Sequence, residues 1–377
     1  MKLIHIADLH LGKKLKDFSL IEDQHYILIK MLNILDQEKP DALLIAGDVY
    51  DKAIPPLDAV NLLDDFLTEV SKRKIPVFII SGNHDSQDRI SFGSRLMQNS
   101  GIYFSQKYDD DETITPIILN DEFGQVYFYL LPFIRPYEKS FNESLKEIIE
   151  KMNINQTDKN IRNVLVAHQL VTGSIKSDSE DISIGTLEDV DSSVFSCFDY
   201  VALGHIHKEQ KCGQEKIRYS GTPLKYSFSE VNDKKGVTVI NLLEKGKLDI
   251  SQIPLCPMRD LVEIKGNFSQ ITDKAFYSKY NQNDFFKIIL TDEFDIPEGF
   301  GRLQKIFPNL VFLDYDNERT KALSQINSME SVEKIHPFEI FQEFYKLQNN
   351  VQMTDEQKKY ANDIISDIWN ENFGELK

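Results

Sequence analysis

The sequence predicts an α/β fold class in which several strands end along one edge of a sheet. Two observations lead to this prediction. From Met1 to about Pro257, short apolar runs alternate with segments of helical periodicity, and five of the runs stop at side chains able to bind a metal. Strands and helices in alternation form right-handed crossovers that pack helices onto a sheet.

Each of the five apolar runs leads into a motif that contains Asp, Asn or His. The pairs are Ile4–Ala7 with Asp8-Leu9-His10, Ala42–Ala46 with Gly47-Asp48-Val49-Tyr50-Asp51, Val77–Ile80 with Gly82-Asn83-His84-Asp85, Val164–Ala167 with His168, and Val201–Leu203 with Gly204-His205-Ile206-His207. Ligands of open α/β sheets gather at the carboxyl ends of strands, so these side chains are expected to converge. Such a set, with one carboxylate free to bridge, suits a two-metal hydrolytic centre. The pattern indicates a metal-dependent phosphoesterase.

Helical segments connect these strands. Apolar residues recur at helical spacing in Ser19–Leu35, and a second helix is expected to begin near Pro56, since proline is favoured in the first helical turn. Its predicted apolar positions are Val60, Leu63, Phe66, Leu67 and Val70. A further strand at Val126–Pro132 and a helix at Phe141–Met152 continue the alternation.

Composition restricts the class of protein. The chain has 377 residues, enough for two or three domains, and its 41% hydrophobic and 27% charged residues are typical of a soluble globular protein. No apolar stretch reaches the ~18 residues of a membrane span, and the N-terminal run is broken too early for a signal peptide. Cys197, Cys212 and Cys256 lack CxxC spacing, which predicts reduced thiols in a cytoplasmic protein. Because no apolar stretch is long enough for a span, no membrane partner is expected.

The net charge of −17 is unfavourable for direct binding of duplex DNA, which requires Lys and Arg to neutralise phosphates. Three explanations stay open for a phosphoesterase of this charge. The substrate is small, a basic surface is local, or a partner carries the DNA. Basic residues next to the motifs are candidates for phosphate contact, although single surface charges are usually only solvated. They are Lys13, Lys14, Lys16, Arg89 and Lys225.

The character of the chain changes after Pro257, where no further ligand motif occurs. A β-α-β-α-β series predicts a small separate domain, followed by a polar linker at Glu318–Lys334. The five predicted segments are Arg259–Phe268, Thr272–Tyr280, Asp284–Thr291, Gly299–Phe307 and Leu310–Asp314.

Two helices are predicted in the tail. Pro337 opens an amphipathic segment that contains Phe341 and Phe344, and Thr354 with Gln357 forms a capping box before a second helix. The second helix includes Trp369, the only tryptophan. Either the chain's own core or a partner covers these apolar faces.

The ordered motifs DLH, GDVYD, GNHD, AHQ and GHIH resemble the calcineurin-like metallophosphoesterase superfamily over most of the first 210 residues. The resemblance implies a four-layer α/β/β/α sandwich and two divalent metal ions, with manganese as the implied metal. It implies that Asp48 bridges both metals and that His84 acts on the leaving oxygen or the charged transition state without binding metal. The implied ligands are Asp8, His10 and His207 for the first metal, and Asn83, His168 and His205 for the second. Asp51 and Asp85 are expected to support ligands or to cap a helix.

The first and third motifs, extended to DLHLGK and GNHDSQDR, and the segment Tyr219–Glu230 are similar to the bacterial SbcD nuclease subunit family. That resemblance covers nearly the whole chain and implies a nuclease domain at 1–258, a capping domain of α+β type at 259–325 and a partner-binding region with C-terminal helices at 326–377. It implies an SbcC-type ATPase partner, a homodimer within a heterotetramer, and a nucleoid-associated role in DNA repair, recombination and replication.

The implied activity is 3′→5′ exonuclease action on duplex ends and endonuclease action on hairpins and single strands. Ser/Thr phosphatases of the superfamily carry GDxVDRG and GNHE, which this sequence lacks. Two alternatives stay open. One is a stand-alone phosphodiesterase for small phosphoesters or cyclic nucleotides, and the other is a structural subunit that tethers DNA ends.

Overall fold

The computed structural model describes residues 1–108, 113–135, 140–178, 189–318, 320, 338, 341–342, 345 and 352–373. The chain forms two compact units, Met1–Leu261 and Val262–Lys377. Nearly all of the predicted linker at Glu318–Lys334 lies outside the described residues, as does most of the first tail helix. In the described part of the chain, no helix is long and apolar enough to cross a membrane.

The first sheet of the first unit has six strands. They are, in spatial order, β14 (Leu248–Pro254), β13 (Gly236–Leu242), β1 (Lys2–Ile6), β4 (Ala42–Ala46), β5 (Val77–Ile80) and β6 (Ile102–Phe104). The pairs from β1 to β6 are parallel, whereas β13 is antiparallel to both β1 and β14. In register, Ile6 lies beside Ile45 and Ala46 beside Ile80, so the first three motifs leave the sheet at one edge.

A second six-stranded sheet carries the last two motifs. Its spatial order is β11 (Gln210–Cys212), β12 (Gln214–Tyr219), β10 (Tyr200–Gly204), β9 (Ile161–His168), β8 (Gly124–Leu131) and β7 (Ile117–Asp121). The four central strands are parallel, and Gly204 lies beside His168 in register. A short hairpin of β2 (Lys14–Leu15) and β3 (Phe18–Ser19) follows the first motif.

The two sheets pack face to face. Their shared core includes Leu44 and Phe78 from the first sheet with Phe128, Val166 and Tyr200 from the second. Phe78 and Phe128 stack with ring centroids 4.4 Å apart. His5 is buried here, where its Nδ1 lies 3.0 Å from the Tyr200 hydroxyl.

Helices cover the outer faces and complete the predicted four layers. The helix α1 (Ile21–Glu38) leads to β4, and α2 (Leu57–Lys72) leads from β4 to β5. Both helices bury one apolar face, but Val60, predicted to be apolar and packed, is 38% exposed. Two short helices, α3 (Gln87–Ile90) and α4 (Ser94–Met97), lie between β5 and β6 in the chain. On the second sheet, α5 (Phe141–Lys151) packs Leu145 and Ile148 into the core.

The second unit contains a three-stranded sheet with its own core. The order is β15 (Leu261–Gly266), β16 (Phe285–Leu290) and β17 (Leu310–Tyr315), with the helices α6 (Phe268–Ile271), α7 (Lys274–Tyr277) and α8 (Gly299–Gln304). This confirms the predicted β-α-β-α-β series, with the first helical segment divided in two. The described chain ends in α9 (Asp355–Phe373), where Thr354 and Gln357 make the reciprocal hydrogen bonds of the predicted capping box.

Candidate metal centre

The loops that follow the strands adopt backbone conformations that L-residues rarely adopt. Asp8, His10, Asp48 and His205 all have positive φ, at 53°, 43°, 46° and 104°. Each such residue costs about 1–3 kcal/mol and persists only where the surroundings hold it. Here the first two loops hold each other, because the Asp8 N–H donates to the Gly47 carbonyl at 3.0 Å and the His10 N–H to the Asp48 carbonyl at 2.9 Å. Strain of this kind is typical of a functional site.

Three glycines allow the strand ends of both sheets to approach closely. A Cβ on Gly204 would lie 1.7 Å from the Ala46 carbonyl oxygen, across the two sheets. A Cβ on Gly82 would lie 2.1 Å from Asp48 Oδ1, and one on Gly47 would lie 2.3 Å from His168 Nδ1. Only glycine fits at these positions, so the glycines of the GDVYD, GNHD and GHIH motifs let the ligands of separate strands meet.

Asn83, His168 and His205 meet beside Asp48. The Asn83 Oδ1 atom lies 3.0 Å from both His168 Nε2 and His205 Nδ1. His168 Nε2 lies 3.3 Å from Asp48 Oδ2. On its other side, His168 Nδ1 donates a hydrogen bond to the Ala46 carbonyl at 2.9 Å, which directs the Nε2 lone pair into the site. The structure thus brings together all four residues predicted around the second metal.

Asp8, His10 and His207 form a neighbouring group. The Nε2 atoms of His10 and His207 face each other at 3.1 Å, as two ligands of one cation do. Asp8 Oδ1 accepts the His205 N–H at 2.8 Å, while Asp8 Oδ2 is buried without a hydrogen-bond partner in the described protein. A buried carboxylate oxygen of this kind is costly unless it binds a cation.

Asp48 lies between the two groups. Its Oδ1 accepts the His84 N–H at 2.9 Å, and its Oδ2 lies 3.3 Å from His168 Nε2 and 3.8 Å from His10 Nε2. Candidate three-residue metal groups occur at His10, Asp48 and His84 and at Asp48, His168 and His205. Since Asp48 belongs to both groups, its position fits a bridging ligand.

The electrostatics of the site favour positive charge. Burial raises the pKa of Asp8 to about 7. Burial opposes the charged form of His168, but the Asp48 carboxylate outweighs it and raises the pKa of His168 to about 9. Burial also lowers the pKa of His205 to about 3, so that imidazole is neutral and can act as a ligand. A bound cation would take the place of the proton on His168, and carboxylates among imidazoles are a donor set that fits divalent cations of the manganese, iron or zinc type.

His84 lies at the exposed side of the centre. Its Nδ1 donates to the Asp51 carbonyl at 3.0 Å, and its Nε2 is 3.9 Å from Asp48 Oδ2. The ring packs edge-on against His10 with centroids 4.8 Å apart. This position is near enough for metal binding as well as for acid catalysis, so the predicted absence of a direct His84–metal bond stays a prediction.

Carboxylates next to the motifs support the loops, as expected. Asp85 accepts three backbone hydrogen bonds, from Val49 at 3.0 Å, Tyr50 at 2.9 Å and Gly82 at 2.9 Å. These bonds tie the loop that carries Asp48 to the loop that carries Asn83. Asp51 pairs with the Lys13 ammonium at 2.8 Å.

The candidate phosphate contacts are mostly engaged within the protein. Lys13 pairs with Asp51, Lys225 lies 2.9 Å from an Asp260 carboxylate oxygen, and Arg89 donates to the Ala53 carbonyl at 3.3 Å. These contacts reduce the charge that the side chains offer to a bound phosphate.

Sequence reasoning missed part of the site's support. Tyr226 lies in a loop, and its hydroxyl donates to the Leu9 carbonyl at 2.5 Å. Its ring lies edge-on to His10 at 5.6 Å, and Gln24 donates to the Tyr226 hydroxyl and to the His10 carbonyl. Phe228, at 8% exposed, belongs to a short 3₁₀ turn, and both aromatic side chains are buried in the core. The only sequence signal was their place in the segment Tyr219–Glu230.

Comparisons with known proteins agree with this chemistry. The profile of the calcineurin-like phosphoesterase family matches residues 1–209, and that of the type 5 capsule protein repressor C-terminal domain matches residues 257–349. The chain is 34% identical to the SbcD subunit of the nuclease SbcCD from Staphylococcus epidermidis, over 98% of this chain and 99% of that protein. It is 32% identical to the protein of the same description from Staphylococcus saprophyticus, over the same shares.

Among solved structures, a dimetal phosphatase from Danio rerio overlaps with a TM-score of 0.40 and 14% identity, over 68% of this chain and 99% of that one. A Thermus thermophilus protein overlaps with a TM-score of 0.39 and 11% identity, over 67% of this chain and 98% of that one.

Proposed function

Because this chain belongs to the calcineurin-like phosphoesterase family, and within it to the family of SbcD nuclease subunits, we propose that it cuts DNA phosphodiesters as the nuclease subunit of an SbcCD-type complex. The observation that carries the proposal is the convergence of six Asp, Asn and His side chains from two sheets around the Asp48 carboxylate. An oxygen and nitrogen donor set of this composition suits a two-metal phosphoester hydrolase.

The proposed ligands fall into two groups that share Asp48. Asp8, His10 and His207 hold one divalent cation, and Asn83, His168 and His205 hold the other, with manganese the proposed metal. Two bound cations would supply Lewis-acid stabilisation of the phosphate and an activated water for in-line attack. The backbone hydrogen bonds to Asp85 keep the two ligand loops at a fixed separation, so little reorganisation is needed when substrate binds.

His84 is the proposed group for the leaving oxygen. The hydrogen bond from its Nδ1 to the Asp51 carbonyl fixes the ring, and its Nε2, which lies 3.9 Å from Asp48 Oδ2, is the proposed atom that carries the transferred proton. Its side chain is 14% exposed, which allows access from the mouth of the site. Proton transfer by a positioned side chain of this type contributes about 10²–10⁴-fold to a rate.

The proposed substrates are duplex ends, cut with 3′→5′ polarity, together with hairpins and single strands. The proposed capping domain, residues 259–325, restricts access of DNA to the centre. The net charge of −17 is unfavourable for DNA binding, and Lys13 and Lys225 are each paired with a carboxylate of this chain. Both observations support a complex in which the SbcC-type ATPase provides the basic DNA-binding surface. Such a complex acts on DNA in the cytoplasm, at the nucleoid.

The tail is the proposed attachment point for the ATPase. Three of its apolar side chains are exposed, with Phe341 at 38%, Tyr360 at 72% and Ile364 at 42%. Apolar residues recurring along a helix form the type of surface that docks into a partner's groove. The side chains of Phe344 and Trp369, also predicted to take part, lie outside the described residues.

A homodimer within a heterotetramer is proposed on a separate surface. Large apolar side chains are exposed at the start of α2 and along α3 and α4, with Ile54 at 72%, Leu57 at 71%, Phe92 at 82% and Leu96 at 78%. The two segments contact each other through the hydrogen bond from Arg89 to the Ala53 carbonyl. Exposed apolar groups gathered in this way mark a protein–protein interface.

The test is manganese-dependent digestion of a 3′-labelled duplex and of a hairpin, with the SbcC-type ATPase and ATP present or absent. Asp48→Ala is the control, because it removes the shared ligand. Cutting that requires Asp48 and increases with the ATPase and ATP supports the proposal. Hydrolysis of a small phosphodiester without any cutting of DNA would replace it with a stand-alone phosphodiesterase.

A further inference from the structure

The segment that connects β12 to β13 contacts both the main chain and the side chain of His207. Its carbonyl accepts hydrogen bonds from the Thr222 N–H at 3.0 Å and from the Lys235 ammonium at 2.8 Å. On the side chain, Nδ1 lies 3.5 Å from Glu230 Oε1, while Nε2 faces His10 Nε2 at 3.1 Å. The ring therefore has a carboxylate on one nitrogen and the metal centre on the other.

The Glu230 carboxylate is buried, and the Lys235 ammonium compensates its charge. Glu230 has no exposed surface and Lys235 is 8% exposed, and the Lys235 Nζ donates to Glu230 Oε2 at 2.5 Å. Thr222 Oγ1 at 3.3 Å and the Tyr226 N–H at 3.4 Å complete the environment of the two oxygens. A buried ion pair is weak evidence for stability, since apolar residues of similar volume often serve as well. Its contact with a ligand ring calls for another explanation.

We propose that Glu230, neutralised by Lys235, is a positioning residue that fixes the tautomer and direction of His207 and thereby tightens the cation site of Asp8, His10 and His207. A carboxylate at Nδ1 retains the proton there, so the Nε2 lone pair points at the cation. The Lys235 ammonium donates to the Glu230 carboxylate and to the His207 carbonyl, so a single side chain anchors both the main chain of His207 and the carboxylate beside its ring.

Other site histidines are held differently: the Nδ1 atom of His10 lies 3.8 Å from Asp51 Oδ1, farther than His207 Nδ1 lies from Glu230. His168 and His84 donate from Nδ1 to backbone carbonyls, those of Ala46 and Asp51. A carboxylate is a stronger acceptor than a carbonyl and raises the electron density of the ring further. The two cation sites should therefore differ in their dependence on Glu230: the site of His207 depends on it, and the site of His168 does not.

The experiment compares the full-length chain with Glu230→Gln and with the double variant Glu230→Gln/Lys235→Met. The double variant removes the buried ammonium that the single variant leaves without its counter-charge. Asp121→Asn is the matched control, because Asp121 also pairs with a buried cation, Arg162, yet neither residue contacts a ligand. The first readout is manganese titration by calorimetry. The second is the ¹⁵N shift of the His207 imidazole nitrogens, assigned with His207→Gln.

The expected result is that one of the two manganese affinities falls about 10–100-fold in both Glu230 variants, a typical effect of removing a carboxylate behind a metal-binding histidine. The other manganese affinity of the Glu230 variants should equal that of the wild type. Both manganese affinities of Asp121→Asn should also be unchanged. The ¹⁵N shifts of His207 should move towards a mixture of tautomers, which loss of stability alone would not cause.

The outcomes separate this inference from the proposed function on which it rests. Folded Glu230 variants with two unchanged affinities and unchanged His207 shifts would overturn the inference alone and leave Glu230 with a structural role. A wild-type protein that does not bind two manganese ions would overturn both proposals.

Discussion

Replacement of Gly47 by alanine should disturb the centre without removing any ligand. Gly47 has φ +85°, and an added Cβ would lie 2.3 Å from His168 Nδ1 and 3.0 Å from the Gly82 Cα. Real Cβ contacts are not shorter than 3.0 Å, so His168 must move by at least about 0.7 Å. That movement disrupts the hydrogen bond from His168 Nδ1 to the Ala46 carbonyl.

The control is Gly246→Ala in the turn before β14. Gly246 has φ +80°, and no atom lies within 4 Å of an added Cβ. Both variants place an L-residue in the left-handed region, at a shared cost of about 1–2 kcal/mol. Only Gly47→Ala also leaves a buried donor or acceptor without a partner, at a further cost of about 1–3 kcal/mol.

The expected difference between the variants is therefore about 1–3 kcal/mol in the free energy of unfolding. Both positions lie in the first compact unit, so urea denaturation followed by far-ultraviolet circular dichroism compares them in one transition. Nuclease turnover should fall about 100-fold in Gly47→Ala alone, since misplacement of a ligand by about 1 Å has that effect. Equal stability and equal turnover of the two variants would refute the close approach of Gly47 to His168.

Four further predictions test other parts of the molecule. His84→Ala should bind two manganese ions with wild-type affinity and lose most turnover; a lower metal stoichiometry would instead make His84 a ligand. Removal of residues 262–325 should change the preference between duplex ends and hairpins, while calorimetry still detects both metals. The deletion begins at residue 262 so that the ion pair of Arg259 with Asp23 is kept. An unchanged substrate preference counts against the capping role. Replacement of Phe341, Tyr360 and Ile364 by Asp should abolish co-purification with the SbcC-type ATPase, and normal co-purification would exclude these residues as the docking surface. Burial alone would raise the pKa of Asp121, but the hydrogen bond from Arg162 outweighs it and holds that pKa well below its usual range. The ionised carboxyl therefore stabilises the fold at pH values above the unfolded-state pKa of about 4. Asp121→Asn should accordingly lower the denaturation midpoint at pH 7, with a deficit that shrinks as the pH falls below about 4; a deficit that stays constant would show that ionisation is not involved.

The sequence by itself determined the element types and the polar strand ends. Apolar strands followed at once by Asp8, Asp48 or His168 are local patterns, and the period of a helix is readable in a window of about 11–18 residues. The capping box of Thr354 and Gln357 was predictable for the same reason, because its two partners lie three residues apart. Periodicity was less informative at the edge of a helix face, where Val60 is 38% exposed.

The tertiary structure alone decided how the two sheets meet and what supports the ligands. The close approach of Gly204 to the Ala46 carbonyl depends on the relative placement of strands from different sheets. Likewise, the hydroxyl of Tyr226 reaches the Leu9 carbonyl across more than two hundred positions of sequence. Glu230 lies behind His207 only because the chain turns back after β12. Local propensity carries no information on such contacts, since they depend on register and packing between distant segments, which the free energy of the whole fold determines.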